Sequence, residues 1–391
     1  MNSSDLDYIL ANIPSSDVNV YDSSAEKSIM GNYVRAAKDL GLPHRLKKNH
    51  HGKRFVRLER EDGTLLGNIA PALLPTCNTE TRAICNSKIR TTNILEAKGV
   101  RVPRSRVIAE GEEELALTTC FEQADEVAVK AHSMSLGRGI HLNVTPESFI
   151  EEFRACIALQ KSRKHAPQAI VQEMVKGFEM RVTVIEGAVD NVLVRIPAYV
   201  TGDGTSTIRE LIGTKNDARA KCGYFGNKPI KIEGNVEAYT RARGIDLESS
   251  PTRGQHVLLS AISNAAYGGE TAIVSDVVSE AVKEEALRSV AAIPGLATAG
   301  VDVMASSFEE EDPVILEVNA FPHAQLSVYP YFGESTDPIS RYLKAILVRD
   351  SIMNGGQGDA RNIVTLGETI SIVERYMRFY ELRDSLQLAA A

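Results

Sequence analysis

Two apolar runs, GVDVM at 300–304 and VILEVNA at 314–320, carry polar side chains only at alternate positions. Strand side chains alternate between faces, so Glu317 and Asn319 share one face while Val314, Leu316 and Val318 take the other. Asp302 alternates in the same way against Val301 and Val303. The acidic turn SSFEEED joins the two runs. If they pair, three hard oxygen side chains converge without any backbone distortion. Such a set suits Mg²⁺, which takes carboxylates together with the phosphates of its substrate. A polar sheet face that merely meets water shows the same alternation, although an Asp and a Glu flanked by such apolar runs are costly to bury unpaired.

The chain has 391 residues, 43% hydrophobic and 24% charged, enough for a sizeable core in two or three associated units. Net charge is −7 and the sequence pI about 5.7. Lys and Arg read as scattered along the chain, so a small molecule is the expected partner and nucleic acid is not. The start MNSSDLDYIL has no basic-then-apolar pattern, and no run approaches the ~18 apolar residues of a membrane span, so a cytoplasmic protein without a membrane partner is expected. Cys77, Cys85, Cys120, Cys156 and Cys222 are unevenly spaced with no C-x-x-C, which predicts reduced structural thiols.

Helical spacing marks 25–40 (Ile29, Met30, Tyr33, Val34, Ala37, Leu40), a helix capped by Asn86 or Ser87 and ended at Gly99, and one opened by Thr145 and Pro146. KRFVRLEREDGTLLGNIA predicts a hairpin about Asp62-Gly63. AIVQEMV, MRVTVI and NVLVRIPAYV read as strands of one antiparallel sheet, the last ending in the loop TGDGTST. The stretch 215–253 has little periodicity and reads as a lid or decorated loop. A helix from Ser279 to about Ala292, another begun by Asp337-Pro338, and a terminal helix over 368–386 complete the pattern. That last helix closes the fold's own core or meets a partner subunit, as in a homo-oligomer.

Two further segments carry chemistry. Lys130 precedes the glycine-bearing turn HSMSLGRG, and glycines let backbone N–H groups approach a phosphate beside a lysine's point charge. A polar hairpin turn is the other reading, and no Walker A motif is present. In QEMVKGFEMR the strand loosens at 174–176 and resumes with Glu179 and Arg181 on one face. An extended linker offers backbone groups to an adenine edge, while Glu179 with Arg181 also reads as a solvated ion pair.

In order, NSKIRTTNILEAKGVRVP, EVAVKAHSMSLGRGI, IVQEMVKGFEMRVTVI and AGVDVM with ILEVNAFP resemble the ATP-grasp superfamily. RIPAYVTGDGTSTIRELI and SNAAYGGETAIVSDVV are most similar to the ATP-grasp domains of cyanophycin synthetases and bifunctional glutathione synthetases. The resemblance covers roughly 85–335. It implies an α/β (α+β) fold with two lobes holding ATP between antiparallel sheets, a small lobe at 86–178 and a large lobe at 179–348. It leaves both ends unaccounted for, and these are expected to form an N-terminal substrate domain at 1–85 and a helical tail at 349–391.

The same resemblance implies that Lys88 and Lys130 contact the ATP phosphates, that the 133–139 turn with Ser133, Ser135, Gly137 and Gly139 closes over them, that the backbone of Glu173, Met174 and Val175 meets adenine, and that Glu179 holds ribose. Arg181 and Arg195 would face the transferred phosphoryl group, and Asp302, Glu317 and Asn319 would hold two Mg²⁺ ions. The activity implied is ligation of a carboxylate to an amine, both amino-acid-like, through an acyl phosphate. A phosphotransferase and a non-catalytic ATP-binding regulator are the alternatives. Two departures stand out. Ser260 occupies the place of an arginine in relatives, so that its charge is to come from elsewhere, for instance Arg253, and FPHAQLS follows Asn319, with His323 near the amine's approach.

Overall fold

Helix α1 (Ser3–Asn12) is closed at its start by a capping box, in which the Asn2 side chain accepts from the Asp5 N–H and the Asp5 carboxylate accepts from the Asn2 N–H. The computed structural model describes residues 1–13, 26, 28–122, 124–131, 139–222, 224–354 and 360–388. Helix α2 (Ile29–Asp39) buries Met30, Tyr33, Ala36 and Ala37 and packs on a three-stranded antiparallel sheet of β1 (His44–Lys48), β2 (Arg54–Glu59) and β3 (Leu65–Ile69). The expected hairpin about Asp62-Gly63 is present, with Gly63 at φ 79°. Strand β1 was not anticipated, and with it the even scatter of basic residues fails: segment 44–59 holds six cations.

Helix α3 (Thr79–Cys85) ends at Asn86, and Ser87 is the cap of α4 (Lys88–Ala97), with Lys88 as its first residue. The small lobe follows: β4 (Ser105–Ala109), α5 (Glu113–Cys120), β5 (Val127–Ala131), β6 (Ile140–Val144), α6 (Pro146–Ser162) and β7 (Gln168–Glu173). Its sheet has the order β4-β7-β5-β6, and α6 buries Phe149, Phe153, Cys156 and Ile157 in a core of its own.

The large lobe contains β8 (Phe178–Ile185), β9 (Ala188–Ile196), β10 (Tyr199–Thr201), α7 (Ile208–Ala220), α8 (Glu237–Ala242), β11 (His256–Leu258), β12 (Glu270–Ile273), α9 (Glu280–Ala292), β13 (Ala299–Ala305) and β14 (Val314–Asn319). Five of these strands form an antiparallel sheet of order β12-β9-β8-β13-β14. The expectation of one sheet through AIVQEMV, MRVTVI and NVLVRIPAYV is therefore corrected twice. Strand β7 belongs to the small-lobe sheet, so the chain changes sheets across 174–177, where Gly177 sits at φ 116° and any Cβ would collide with the Ala305 carbonyl. Pro197, with no N–H for the ladder, separates β9 from β10, which pairs with β11 alone.

Segment 215–253 is likewise corrected. It is partly helical and packs around its own core of Ala198, Val200, Ile208, Ile212, Ile230, Val236 and Leu259. Thr207 caps α7 in a box with Glu210, whose carboxylate accepts the Thr207 N–H at 2.8 Å. That T-x-x-E signal stood in the loop reading of TGDGTST.

Helices α10 (Gln325–Val328), α11 (Pro338–Met353), α12 (Ala360–Ile363) and α13 (Leu366–Leu388) finish the chain. Helix α13 docks on the body: the Tyr376 hydroxyl donates to Glu186 at 2.6 Å, and buried Arg383 donates to the carbonyls of Ala291 and Ile293 at 3.1 and 3.4 Å. The five cysteines are free thiols. No helix among the described residues is long and apolar enough to cross a membrane.

Candidate nucleotide and metal site

Register builds the site. Asp302 on β13 lies directly opposite Glu317 on one side and Arg181 on the other, and Gly300 lies opposite Asn319 and Thr183. Two residues further along, Met304 faces Glu179, and Arg195 on β9 faces Thr271 on β12. Residues opposite one another in a ladder share a face, so Glu179, Arg181, Arg195, Asp302 and Glu317 project together from one side of the sheet. The other side is apolar: Met180, Val182, Val301 and Val303 are fully buried.

The convergence of Asp302, Glu317 and Asn319 was read correctly, but the claim of an undistorted ladder is wrong. The register shifts after Asp302, so that Glu317 and then Ile315 are the successive partners on β14 and Leu316 is an extra residue. This bulge turns Ile315 into the core at 1% exposure and leaves Leu316 half-exposed, the reverse of simple alternation.

Two carboxylates directly opposite each other repel, so cations must lie among them. Arg181 Nε donates to Asp302 Oδ1 at 2.5 Å, and Arg195 reaches the same oxygen at 3.1 Å while also pairing with Glu179. Lys88, at the start of α4, donates to Glu317 at 2.9 Å, and Asn319 Nδ2 donates to Asp302 Oδ2 at 3.3 Å. Burial works to raise the pKa of Asp302, yet Arg181 and Arg195 hold it below the ordinary value. Burial prevails at Glu179, whose pKa is raised in spite of Arg195. Arg195 Nε is buried with no hydrogen-bond partner among the described residues, and so is Thr183 Oγ1.

Sequence reasoning missed Gly300. A Cβ there would collide with the Arg181 guanidinium, so the bare backbone gives that side chain its path across β13 to Asp302 and to the Pro322 carbonyl, 3.2 Å away. Alternation inside GVDVM held the signal, since Gly300 shares the face of Asp302. Gln172 on β7 was also missed. It accepts a hydrogen bond from Lys130, and burial, followed by repulsion from Lys88, brings the Lys130 pKa down to about 8. Glu317 and Glu179 act on Lys130 in the opposite sense, so charges of both lobes meet at this lysine.

The linker 174–176 lines a cavity of about 380 Å³ with Glu173, Met304 and Arg101. Glu173 is also tied to Arg104 at 2.6 Å. Gly139, at φ 64°, closes the β5–β6 hairpin, its carbonyl accepting from the Ala131 N–H at 2.7 Å, and a Cβ would press on Ala131 and Leu159. Ser133, Ser135 and Gly137 lie outside the described residues. Arg253 is not brought into the ion-pair network, being exposed in the turn before β11. Ser260 is 2% exposed, its hydroxyl accepting from the Ile262 N–H at 3.0 Å. Two cations of the 208–258 segment, half-buried Lys215 and buried Arg219, are committed to Glu270 at 3.0 and 3.9 Å. His323 has a φ of 52° and stands edge-on to Phe321. The residue is exposed, yet the protein packed around its ring, then Arg181 and Arg195, bring its pKa down to about 4.

Comparison with known proteins decides the family. The model of the ATP-grasp domain matches residues 85–324. The chain belongs to the ATP-grasp family. ATP-grasp ligases use ATP and Mg²⁺, and the chemistry of the donor set here fits a hard cation: the carboxylates of Asp302 and Glu317 and the amide of Asn319 are brought together. The chain is 28% identical over 266 residues to the glutathione biosynthesis bifunctional protein of Desulfotalea psychrophila, covering 66% of this chain and 34% of that one. It is 33% identical over 260 residues to the cyanophycin synthetase of Synechocystis sp., covering 62% and 28%. It thus spans about a third of the length of these relatives. The crystal structure of a bifunctional glutathione synthetase from Pasteurella multocida superposes with a TM-score of 0.61 at 21% identity, over 84% of this chain and 44% of that one, which shows a shared fold.

Proposed function

We propose that this ATP-grasp chain is an ATP-dependent ligase that joins a carboxylate to an amine, both amino-acid-like, releasing ADP and phosphate. The observation that carries the reading is the in-register Asp302–Glu317 pair with Arg181, Arg195 and Lys88 around it. A carboxylate is a poor electrophile until phosphorylation gives it a leaving group, and phosphoryl transfer asks chiefly for positioning and charge neutralisation. Two Mg²⁺ ions held by Asp302, Glu317 and Asn319 would neutralise the β and γ phosphates. Lys88 and Lys130 then anchor the triphosphate, Arg181 and Arg195 face the transferred group, the linker at Glu173 to Val175 takes adenine, and Glu179 takes ribose. His323, neutral at pH 7, stands beside the two arginines where an amine would approach.

A screen of amino-acid pairs for amine-dependent nucleotide release tests this. ADP with phosphate, and ¹⁸O from the carboxylate in that phosphate, is the expected outcome. AMP with pyrophosphate would sink the acyl-phosphate route, and ADP release without an amide product would move the assignment to a phosphotransferase.

A further inference from the structure

Outside the cleft, the strongest unexplained feature is the β1–β2 hairpin. Arg45, Lys47, Lys48, Lys53, Arg54 and Arg57 stand against Glu59 alone, so segment 44–59 carries +5, and the rest of a chain that totals −7 carries −12. Glu59 satisfies Arg45 and Arg57 at 2.9 and 2.7 Å. Lys47, Lys48, Lys53 and Arg54 are exposed and have no acidic partner among the described residues. Like charges stand directly opposite one another at Lys48 and Arg54 and at Arg45 and Arg57, which costs stability. Lysines on an edge strand guard against aggregation, but that needs cations on the edge strand only, and here both strands carry them.

We infer that this hairpin is a docking surface for a short acidic polypeptide segment, which adds as an extended strand to the edge of β1. Strand β1 ends its sheet, and no described strand pairs with its outer side. The Pro43 carbonyl accepts from the Glu59 N–H and the Asn49 N–H donates to the Lys53 carbonyl. Odd positions therefore bond inward, and the backbone groups of His44, Leu46 and Lys48 point outward, available to an incoming strand. Side chains of Arg45, Lys47 and Lys48 flank that edge. Charge and size select the partner. A long nucleic acid or a membrane plane would carry phosphate past the hairpin, ~17 Å long for five residues, and against the −12 of the body. Base stacking would also need aromatic side chains, and the hairpin offers only half-exposed Phe55 and the His50–His51 pair. A short acidic segment meets neither obstacle. The inference stands apart from the ligase reading, since it concerns binding alone.

Fluorescence anisotropy of the full chain with a short labelled poly-glutamate peptide tests it. Saturable binding at low salt is expected, weakened at least tenfold by Lys47→Glu with Lys48→Glu and Arg54→Glu, while thermal melting and nucleotide binding stay unchanged. Leu46→Pro removes an outward N–H at an edge-strand position where proline is tolerated, and should weaken the peptide about fivefold with its salt dependence and the melting temperature unaltered. Wild-type affinity in the triple variant, or no saturable binding, would overturn the docking surface. Full affinity in Leu46→Pro would overturn strand addition. Tighter binding of an equally charged oligonucleotide or of phosphatidylserine vesicles would overturn the choice of partner.

Discussion

The small-lobe sheet and the large-lobe sheet both bring charge within reach of Lys130, but they hold it differently. On the large lobe, Asp302, Glu179, Arg181 and Arg195 are mutually paired, so their burial is compensated within the sheet. On the small lobe, Lys130 rests on the neutral amide of Gln172 and is left with a depressed pKa. A paired cluster is rigid and costly to break, since removing one partner strands the other. A desolvated lysine on an amide is instead a cation short of an anion, as suits a group that receives a phosphate.

The comparison breaks most sharply at Glu317. Glu317→Gln should reduce ADP formation about a thousandfold, ~4 kcal/mol of transition-state stabilisation, because a hard oxygen is lost from the metal set. Its side chain is 36% exposed, so the melting temperature should hold, and undiminished turnover would remove the metal assignment. Arg181→Met should act on the fold as well. It leaves Asp302 buried beside Glu179 with one guanidinium fewer, at a cost of ~3–5 kcal/mol in urea unfolding; a loss under about 1 kcal/mol would mean the cluster does not share charge as described.

Lys130→Ala should weaken ATP by ~1.5–3 kcal/mol with little loss of stability, the reverse of Arg181→Met. Its pH signature is specific. The folded pKa of about 8 lies below the ordinary 10.5, so ATP affinity should decline as pH rises through about 8, and Lys130→Arg should remove that decline. The linked stability runs the other way: between those two values the unfolded chain binds more protons, so this lysine's contribution to stability rises with pH. Isothermal titration across that range decides it. The smallest effect should come from Arg253→Ala, under ~0.5 kcal/mol in stability for an exposed side chain. A tenfold fall in kcat would return Arg253 to the site.

Much of the site was legible because it lies on strands. Period-two alternation put Glu317 with Asn319 on one face of their strand and Glu179 with Arg181 on one face of theirs, before any pairing was known. What escaped was set by non-local register: the bulge at Leu316, the space that Gly300 opens for Arg181, and the amide of Gln172 under Lys130. The helix α7 was missed for a different reason. Its Thr207–Glu210 capping box is local and readable, but the surrounding Gly and Thr residues signal a loop with equal force.

By itself, the sequence determined most of the elements and the chemistry available to them, since caps, alternation and turn residues act within a few positions of one another. Only the tertiary structure decided that β7 and β8 belong to different sheets, that the acids are directly opposed, and that the basic residues of 44–59 gather on one exposed hairpin. Those facts depend on which strands become neighbours, and that is settled by the burial of apolar faces far apart in the chain.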